Sequence, residues 1–169
     1  AMVVLFSLAI CSTLGIYSMA PLFLVNDHGM DPGRANSLLA FSRIASLFMP
    51  LAGGWFGNKF GTQLVRALVL LITGVVTILM AIVCDGIWLI VFVVAQPVFA
   101  VCFFPAGFAV LSKLGAVQYG NLSVSLCLPL AFLIGGGLMP TFIGLIGDFY
   151  SISWGFMIVG SLMATGGTI

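Results

Sequence analysis

The chain has 169 residues, of which 62% are hydrophobic and only 5% are charged, and its formal net charge is +1. Soluble domains carry about 25% charged residues, so this chain lacks the side chains that would cover a water-facing surface. Its five basic residues are spread along the whole sequence and form no patch for nucleic-acid phosphates. The composition therefore predicts an integral membrane protein in contact with the lipid bilayer and argues against a nucleic-acid partner.

Sparse polar residues divide the chain into six apolar segments. The predicted transmembrane helices are 2–25, 32–58, 64–83, 87–112, 119–147 and 152–169. Each segment is near or above the ~20 residues that a spanning helix needs. None shows the alternating pattern of the ~10-residue strands of a membrane barrel. We therefore predict an all-α membrane protein whose residues 1–169 form a single six-helix transmembrane bundle.

The few charged residues predict the orientation of the bundle. With the N-terminus in the cytoplasm, Lys59, Arg66 and Lys113 lie inside and Arg34 lies outside. This is the bias towards Lys and Arg that short cytoplasmic loops show. Both termini are then cytoplasmic, and the compact loops fit a bacterial inner membrane. The chain starts and stops within apolar sequence, which suggests a fragment of a longer protein.

An internal repeat is suggested by two stretches that share the pattern P-x-x-x-G-x-x-G-[N/D]. They are residues 50–58 and 140–148, which close the second and the fifth segment. On the predicted topology these two ends face opposite sides of the membrane. Three-helix units of inverted topology build many transporters. The pattern therefore predicts two inverted three-helix repeats, with chance recurrence in a chain of 21 glycines as the alternative.

The second segment contains one arginine, Arg43, and no carboxylate near it. If Asp31 caps this helix and Pro32 opens it, Arg43 lies about 17 Å along the helix, close to the middle of a ~30 Å hydrocarbon core. A charge at that depth costs at least ~2.5–3.5 kcal/mol, so it normally faces a bundle interior and has a function there. A guanidinium suits a planar oxyanion because it donates two parallel hydrogen bonds. We predict that Arg43 binds a small anionic solute, with snorkelling or packing as the alternative.

Three further polar side chains are candidates for the same solute site. Tyr17 and Gln96 lie ~12–15 Å deep in the first and fourth segments, and Ser125 lies on the fifth. Each could instead form an ordinary hydrogen bond between helices. The sequence contains no nucleophile with a base, metal-binding cluster or phosphate loop. We therefore expect no enzyme and no cofactor, and we interpret the four scattered cysteines as small buried apolar residues.

The connection between the second and third segments, residues 54–63, resembles the loop motif of the major facilitator superfamily, G-x-x-x-[D/N]-[R/K]-x-G-[R/K]-[R/K]. The residues that match the motif are Gly54, Asn58, Lys59 and Gly61. Thr62 and Gln63 stand in place of its last two basic residues. The weak form of the motif and the run of residues 129–140 resemble the C-terminal half of that family.

The resemblance implies that the six segments correspond to helices seven to twelve of a twelve-helix transporter. The missing N-terminal six-helix half would then be a partner, segments one, two, four and five would line a central cavity, and segments three and six would face lipid. It also implies alternating access by the rocking of two halves, with a gating role for the loop motif. Asn58 in place of Asp weakens any charge-based latch there.

Anion carriers of this family, such as nitrate/nitrite porters and oxalate:formate exchangers, place an arginine on helix eight that Arg43 resembles. The fifth segment lacks the lysine of the oxalate exchangers and does not closely reproduce the glycine-rich signature of the nitrate porters. We therefore expect secondary active transport of a small anion, with a monovalent carboxylate favoured. The alternatives are efflux of drug-like compounds by the same fold and a self-associating six-helix channel or scaffold.

Overall fold

The computed structural model describes residues 2–83, 86–112 and 120–167, and within these ranges the chain forms helices and turns but no β-strand. The helical rods of the described residues are α1 (Met2–Asp27), α2 (Pro32–Phe60), α3 (Thr62–Ile82), α4 (Ile87–Leu111), α5 (120–149) and α6 (Ile152–Gly166). The prediction of an all-helical fold is confirmed.

Five of these rods are long and apolar enough to cross a membrane. They have 26, 29, 21 and 25 residues for α1 to α4, and 26 for the part of α5 at Val124–Phe149. The sixth, α6, has 15 residues and is about 22 Å long, shorter than the ~30 Å hydrocarbon core. The chain is thus an integral, multi-pass membrane protein, and its described residues form five helices that are long and apolar enough to span a bilayer, together with a shorter apolar α6. Two residues of the predicted sixth segment, 168 and 169, lie outside the described residues.

The ends of α2 follow from local chemistry. The Asp31 carboxylate accepts hydrogen bonds from the backbone nitrogens of Gly33 (3.0 Å) and Arg34 (3.2 Å), and Pro32 opens the helix. This confirms the predicted cap. At the other end Gly61 has φ +92°, a conformation that side chains with a Cβ rarely adopt. The chain reverses there and enters α3 directly.

Four of the rods contain irregular turns in the middle. Helix α1 has a π-helical segment at Cys11–Gly15, called the π segment of α1 below, and ends in a second one at Phe23–Asp27. Helix α5 has a π-helical segment at Leu133–Leu138, whereas α2 is broken at residues 47–48 and α4 at residues 101–102. In α2, α4 and α5 the irregular turn comes just before a proline, respectively Pro50, Pro105 and Pro140. Proline has no N–H to donate to the carbonyl one turn earlier, so the helix turn before a proline is often irregular. In α1 no proline follows within one turn, so its π segment has another cause.

Three helix pairs are in backbone contact at small residues. A Cβ added to Gly135 of α5 would overlap the Ser7 carbonyl oxygen of α1. A Cβ added to Gly53 of α2 would lie 2.6 Å from the Cys102 carbonyl oxygen of α4. Between α3 and α6, a Cβ on Gly74 would lie 2.5 Å from the backbone nitrogen of Ala164. Such approaches let helices associate without a hydrophobic driving force between them.

The short α6 is held by the end of α1. The Asp27 carboxylate accepts hydrogen bonds from the backbone nitrogen of Ser153 (2.9 Å) and from its hydroxyl group (2.7 Å). The residue at the cap position itself, Ser151, makes no side-chain cap bond. A carboxylate at a helix N-terminus both satisfies an unpaired N–H and interacts favourably with the helix dipole. Asp27 therefore holds the N-terminus of α6 against the end of α1.

Gly74→Ala is expected to destabilise the bundle by about 1–3 kcal/mol, because the added methyl group forces α3 away from α6. Thermal unfolding of the purified protein measures the loss. Gly54→Ala is the matched control, since its Cβ would meet only Pro105 at an ordinary 3.8 Å. Equal unfolding temperatures for the two variants would contradict the close α3–α6 contact.

Asp27→Ala is expected to cost about 1 kcal/mol, the usual cost of losing a helix cap. Hydrogen exchange at the first turn of α6 should accelerate, because the Ser153 amide loses its acceptor. Asp148→Ala serves as the control, since Asp148 is exposed at the end of α5. Unchanged exchange at Ser153 in Asp27→Ala would refute the capping role.

Candidate functional site

Arg43 is half-buried on α2 and is held by uncharged groups of α1. Its guanidinium donates a hydrogen bond to the Thr13 carbonyl oxygen, and its central carbon lies 3.7 Å from the centroid of the Tyr17 ring. A cation over an aromatic face is attracted by the ring, by ~2 kcal/mol or more when water is excluded. The predicted neighbours Arg43 and Tyr17 are therefore in direct contact.

The described carboxylates all lie away from Arg43. Asp27 binds Ser153, Asp31 caps the first turn of α2, and Asp148 is exposed at the far end of α5. Asp31 precedes Arg43 by 12 residues on the same rod, a distance of about 18 Å. Within the described part of the chain, the Arg43 charge is therefore solvated by a carbonyl and a ring and not by an acidic side chain.

Gln96 contacts the same turn of α1 from the side of α4. It is 4% exposed, and its amide nitrogen donates a 2.8 Å hydrogen bond to the Ser12 carbonyl oxygen. Ser12 and Thr13 are consecutive residues of the π segment of α1. A π turn replaces the regular i to i+4 backbone hydrogen bonds by i to i+5 ones, and a carbonyl that its helix leaves free in a bilayer needs a donor from a neighbouring helix. Gln96 and Arg43 donate to two consecutive carbonyls of this segment.

A small cavity lies beside this turn. Its volume is about 10 Å³, and the polar side chains that line it belong to Tyr17, Ser42 and Gln96. That volume is about the minimum that holds one water molecule. A carboxylate does not fit without movement of the helices. Arg43 is not among the residues that line this cavity.

Of the four predicted solute-binding residues, the structure brings three together around the π segment of α1: Arg43, Tyr17 and Gln96. Ser125 is exposed on α5 and does not line the cavity. Sequence reasoning missed the carbonyl groups of Ser12 and Thr13, because a backbone acceptor leaves no signature in the sequence. It also missed Ser42, which a cavity-facing position next to Arg43 could have suggested.

The predicted gating motif forms the turn between α2 and α3. Gly61 makes the turn itself, and Asn58 and Lys59 are exposed at the end of α2. The Lys59 ammonium lies 4.9 Å from the centroid of the Trp55 ring. Gly54 is half-buried, with ordinary space for a Cβ. These residues share one end of the bundle, and no contact joins them to Arg43 in the described structure.

Three of the cysteines, Cys11, Cys102 and Cys127, are free and buried, which confirms their interpretation as small buried residues. Cys84 lies outside the described residues. Among the described residues, no group of three or more His, Cys, Asp or Glu side chains could hold a metal ion.

Comparisons of the chain with protein-family models and with curated proteins find no match. The fold therefore defines the class, an integral multi-pass α-helical membrane protein. The resemblance to the major facilitator superfamily stays a prediction.

Gln96→Leu is expected to destabilise the bundle by about 1 kcal/mol, within the range of hydrogen bonds between membrane helices. The Ser12 carbonyl would lose its donor in a buried place, and thermal unfolding measures the cost. Gln63→Leu at the exposed start of α3 is the control and should change stability by less than about 0.5 kcal/mol. An equally small effect of Gln96→Leu would mean that this bond contributes nothing to stability.

Proposed function

We propose that the chain is the C-terminal six-helix half of a secondary active transporter for a small anion, with a monovalent carboxylate favoured. The observation that carries the proposal is the state of Arg43. Its charge lies about 17 Å along a membrane-spanning helix, and its partners in the described structure are a neutral carbonyl and a ring. An anion would supply the neutralisation that these groups do not.

In the proposed mechanism, the anion replaces the Thr13 carbonyl as acceptor of the Arg43 guanidinium. The planar fork can donate two parallel hydrogen bonds to a carboxylate, and the Tyr17 hydroxyl and the Gln96 amide can donate others. The pair is weak in an open vestibule, where water screens it, and stronger once the site closes. We therefore infer that binding favours the occluded state of the bundle.

Two features support the proposed inverted repeat. The prolines of the repeated pattern, Pro50 and Pro140, are 90 positions apart. Moved by the same 90 positions, the π segment of α1 falls on residues 101–105, where α4 is broken, and that of α5 falls on residues 43–48, where α2 is broken. The helix packing is consistent with the same repeat. The shift relates the α1–α5 pair to the α4–α2 pair, and both pairs are in contact; the remaining two related helices, α3 and α6, pack on each other. Repeats of this kind are typical of transporters.

The irregular turns also suit alternating access. Each lies in one of the four rods that the family resemblance places around the central cavity, whereas α3 and α6 are regular. Broken and π-helical turns are natural bending points because their backbone departs from the regular i to i+4 hydrogen bonds. We infer that α1, α2, α4 and α5 bend or rock while the α3–α6 pair stays fixed.

The missing N-terminal half is the proposed partner of the face around Arg43. Only 22% of an 18-residue apolar stretch of α2 is buried within the bundle. Its large uncovered side chains include Phe41, Ile44, Leu47, Phe48 and Leu51. A helix with so little internal contact suits a position between two halves. We further propose a bacterial inner membrane, cytoplasmic termini, a gating role for the α2–α3 turn and no enzymatic activity.

A thermal-shift panel of small anions on the full-length parent protein tests the proposal. A carboxylate at a hundredfold excess over its dissociation constant should stabilise the protein by about 2.7 kcal/mol. Arg43→Gln should abolish this shift, since the guanidinium is the proposed anchor. The matched control is Arg34→Gln, which removes an exposed charge at the start of the same helix and should leave the shift intact.

A shift that survives Arg43→Gln would reduce Arg43 to a structural charge and contradict the proposed site. Stabilisation by cationic or neutral compounds, with none by anions, would favour the efflux alternative.

A further inference from the structure

A second cavity lies on the outside of the bundle, between α2, α3 and α4. Its volume is about 350 Å³. The side chains that form its walls include Phe56 and Phe60 of α2 and Leu64, Leu68 and Ile72 of α3. All of these are aromatic or aliphatic, and each is more than one-third exposed. The cavity is therefore an apolar groove on the surface of a membrane protein.

The groove is closed at the back. Gly53 of α2 and Cys102 of α4, which both line it, are in backbone contact, because a Cβ on Gly53 would lie 2.6 Å from the Cys102 carbonyl oxygen. An occupant can therefore approach only from the side of the bilayer.

The length of the groove matches one leaflet. On α2 it extends from Phe60 to Met49 and on α3 from Leu64 to Ile72, which is about 17 Å and 12 Å at the helical rise. Half of a ~30 Å hydrocarbon core is about 15 Å. The groove begins at the α2–α3 turn and ends near the bilayer centre. A spanning helix packed here would extend far beyond it, whereas a single acyl chain from one leaflet would fill it.

The mouth of the groove is cationic. The ammonium of Lys59 lies 5.5 Å from the ring centroid of Phe60, a wall residue, and 4.9 Å from that of Trp55. The two described aspartates nearest in sequence, Asp27 and Asp31, lie before the start of α2 and thus at its opposite end. A basic side chain at a membrane surface attracts anionic lipids.

We propose that this groove binds one acyl chain of an anionic phospholipid, whose headgroup lies at Lys59. The site belongs to the leaflet at whose surface the α2–α3 turn lies. It shares no residue with the Arg43 site and does not depend on what Arg43 binds.

The test uses quenching of tryptophan fluorescence by phospholipids with brominated acyl chains, in vesicles that contain the reconstituted chain. The variant Trp88→Phe/Trp154→Phe keeps Trp55, whose ring lies 5.0 Å from that of the wall residue Phe56. Brominated phosphatidylglycerol should bind about fivefold more tightly than brominated phosphatidylcholine, the preference expected from one basic residue. Lys59→Gln should bring the ratio to about one, and Lys59→Arg should retain it.

Two matched controls localise the effect. Leu68→Phe fills the groove and should weaken quenching of Trp55, whereas Leu79→Phe changes an exposed leucine of the same helix outside it and should not. The variant that keeps only Trp154, on α6, should show no headgroup preference. Equal quenching by both lipids at Trp55, or a preference that survives Lys59→Gln, would overturn the proposal. Weak quenching by both lipids would overturn it too, because another helix or a second copy would then cover the groove.

Discussion

Two consecutive backbone carbonyls, those of Ser12 and Thr13, set the arrangement of the bundle around α1. In hydrocarbon no water can satisfy a carbonyl that the helix leaves free. Gln96 of α4 and Arg43 of α2 reach the two oxygens from different sides. Three helices are thereby held at one level of the membrane. Helix α1 is also the most buried of the five long helices, with 61% of an 18-residue apolar stretch buried. A change in its π segment would therefore affect helix contacts throughout the bundle.

Close glycine contacts hold some helix pairs rigidly together, whereas irregular turns allow four of the helices to bend. At Gly53, Gly74 and Gly135 the backbones of two helices touch, so these crossings resist separation. The irregular turns lie in α1, α2, α4 and α5, where the backbone departs from the regular i to i+4 pairing. The π segment of α1 faces that of α5, since a Cβ on Gly15 would lie 3.0 Å from the Gly135 carbonyl oxygen. The π segment of α1 thus coincides with this close contact to α5, whereas no proline follows it within one turn.

The sequence predicted what depends on local chemistry and on length. The cap at Asp31, the turn at Gly61 and the position of Arg43 along α2 all follow from residue type and helical rise. The π segment of α1 could not be predicted, because it comes with packing against α5 and has no proline signal. Depth placed Ser125 among the candidate residues, but depth does not tell which face of a helix a residue occupies. The sixth segment was predicted to continue to residue 169, and its last two residues lie outside the described part of the chain.

The neutral partners of Arg43 matter for the proposed function because of what an anion would have to displace. Two opposite charges 4 Å apart attract by about 4 kcal/mol at the effective dielectric of a protein surface and by about 1 kcal/mol in water. Had a carboxylate of the chain already been bound to Arg43, an incoming anion would gain little by replacing it. The Thr13 carbonyl is a weaker acceptor than a carboxylate, and the Tyr17 ring can stay in place while it is exchanged. The exchange frees a carbonyl in the π segment of α1, so anion binding at Arg43 would loosen the turn that holds α1, α2 and α4 together.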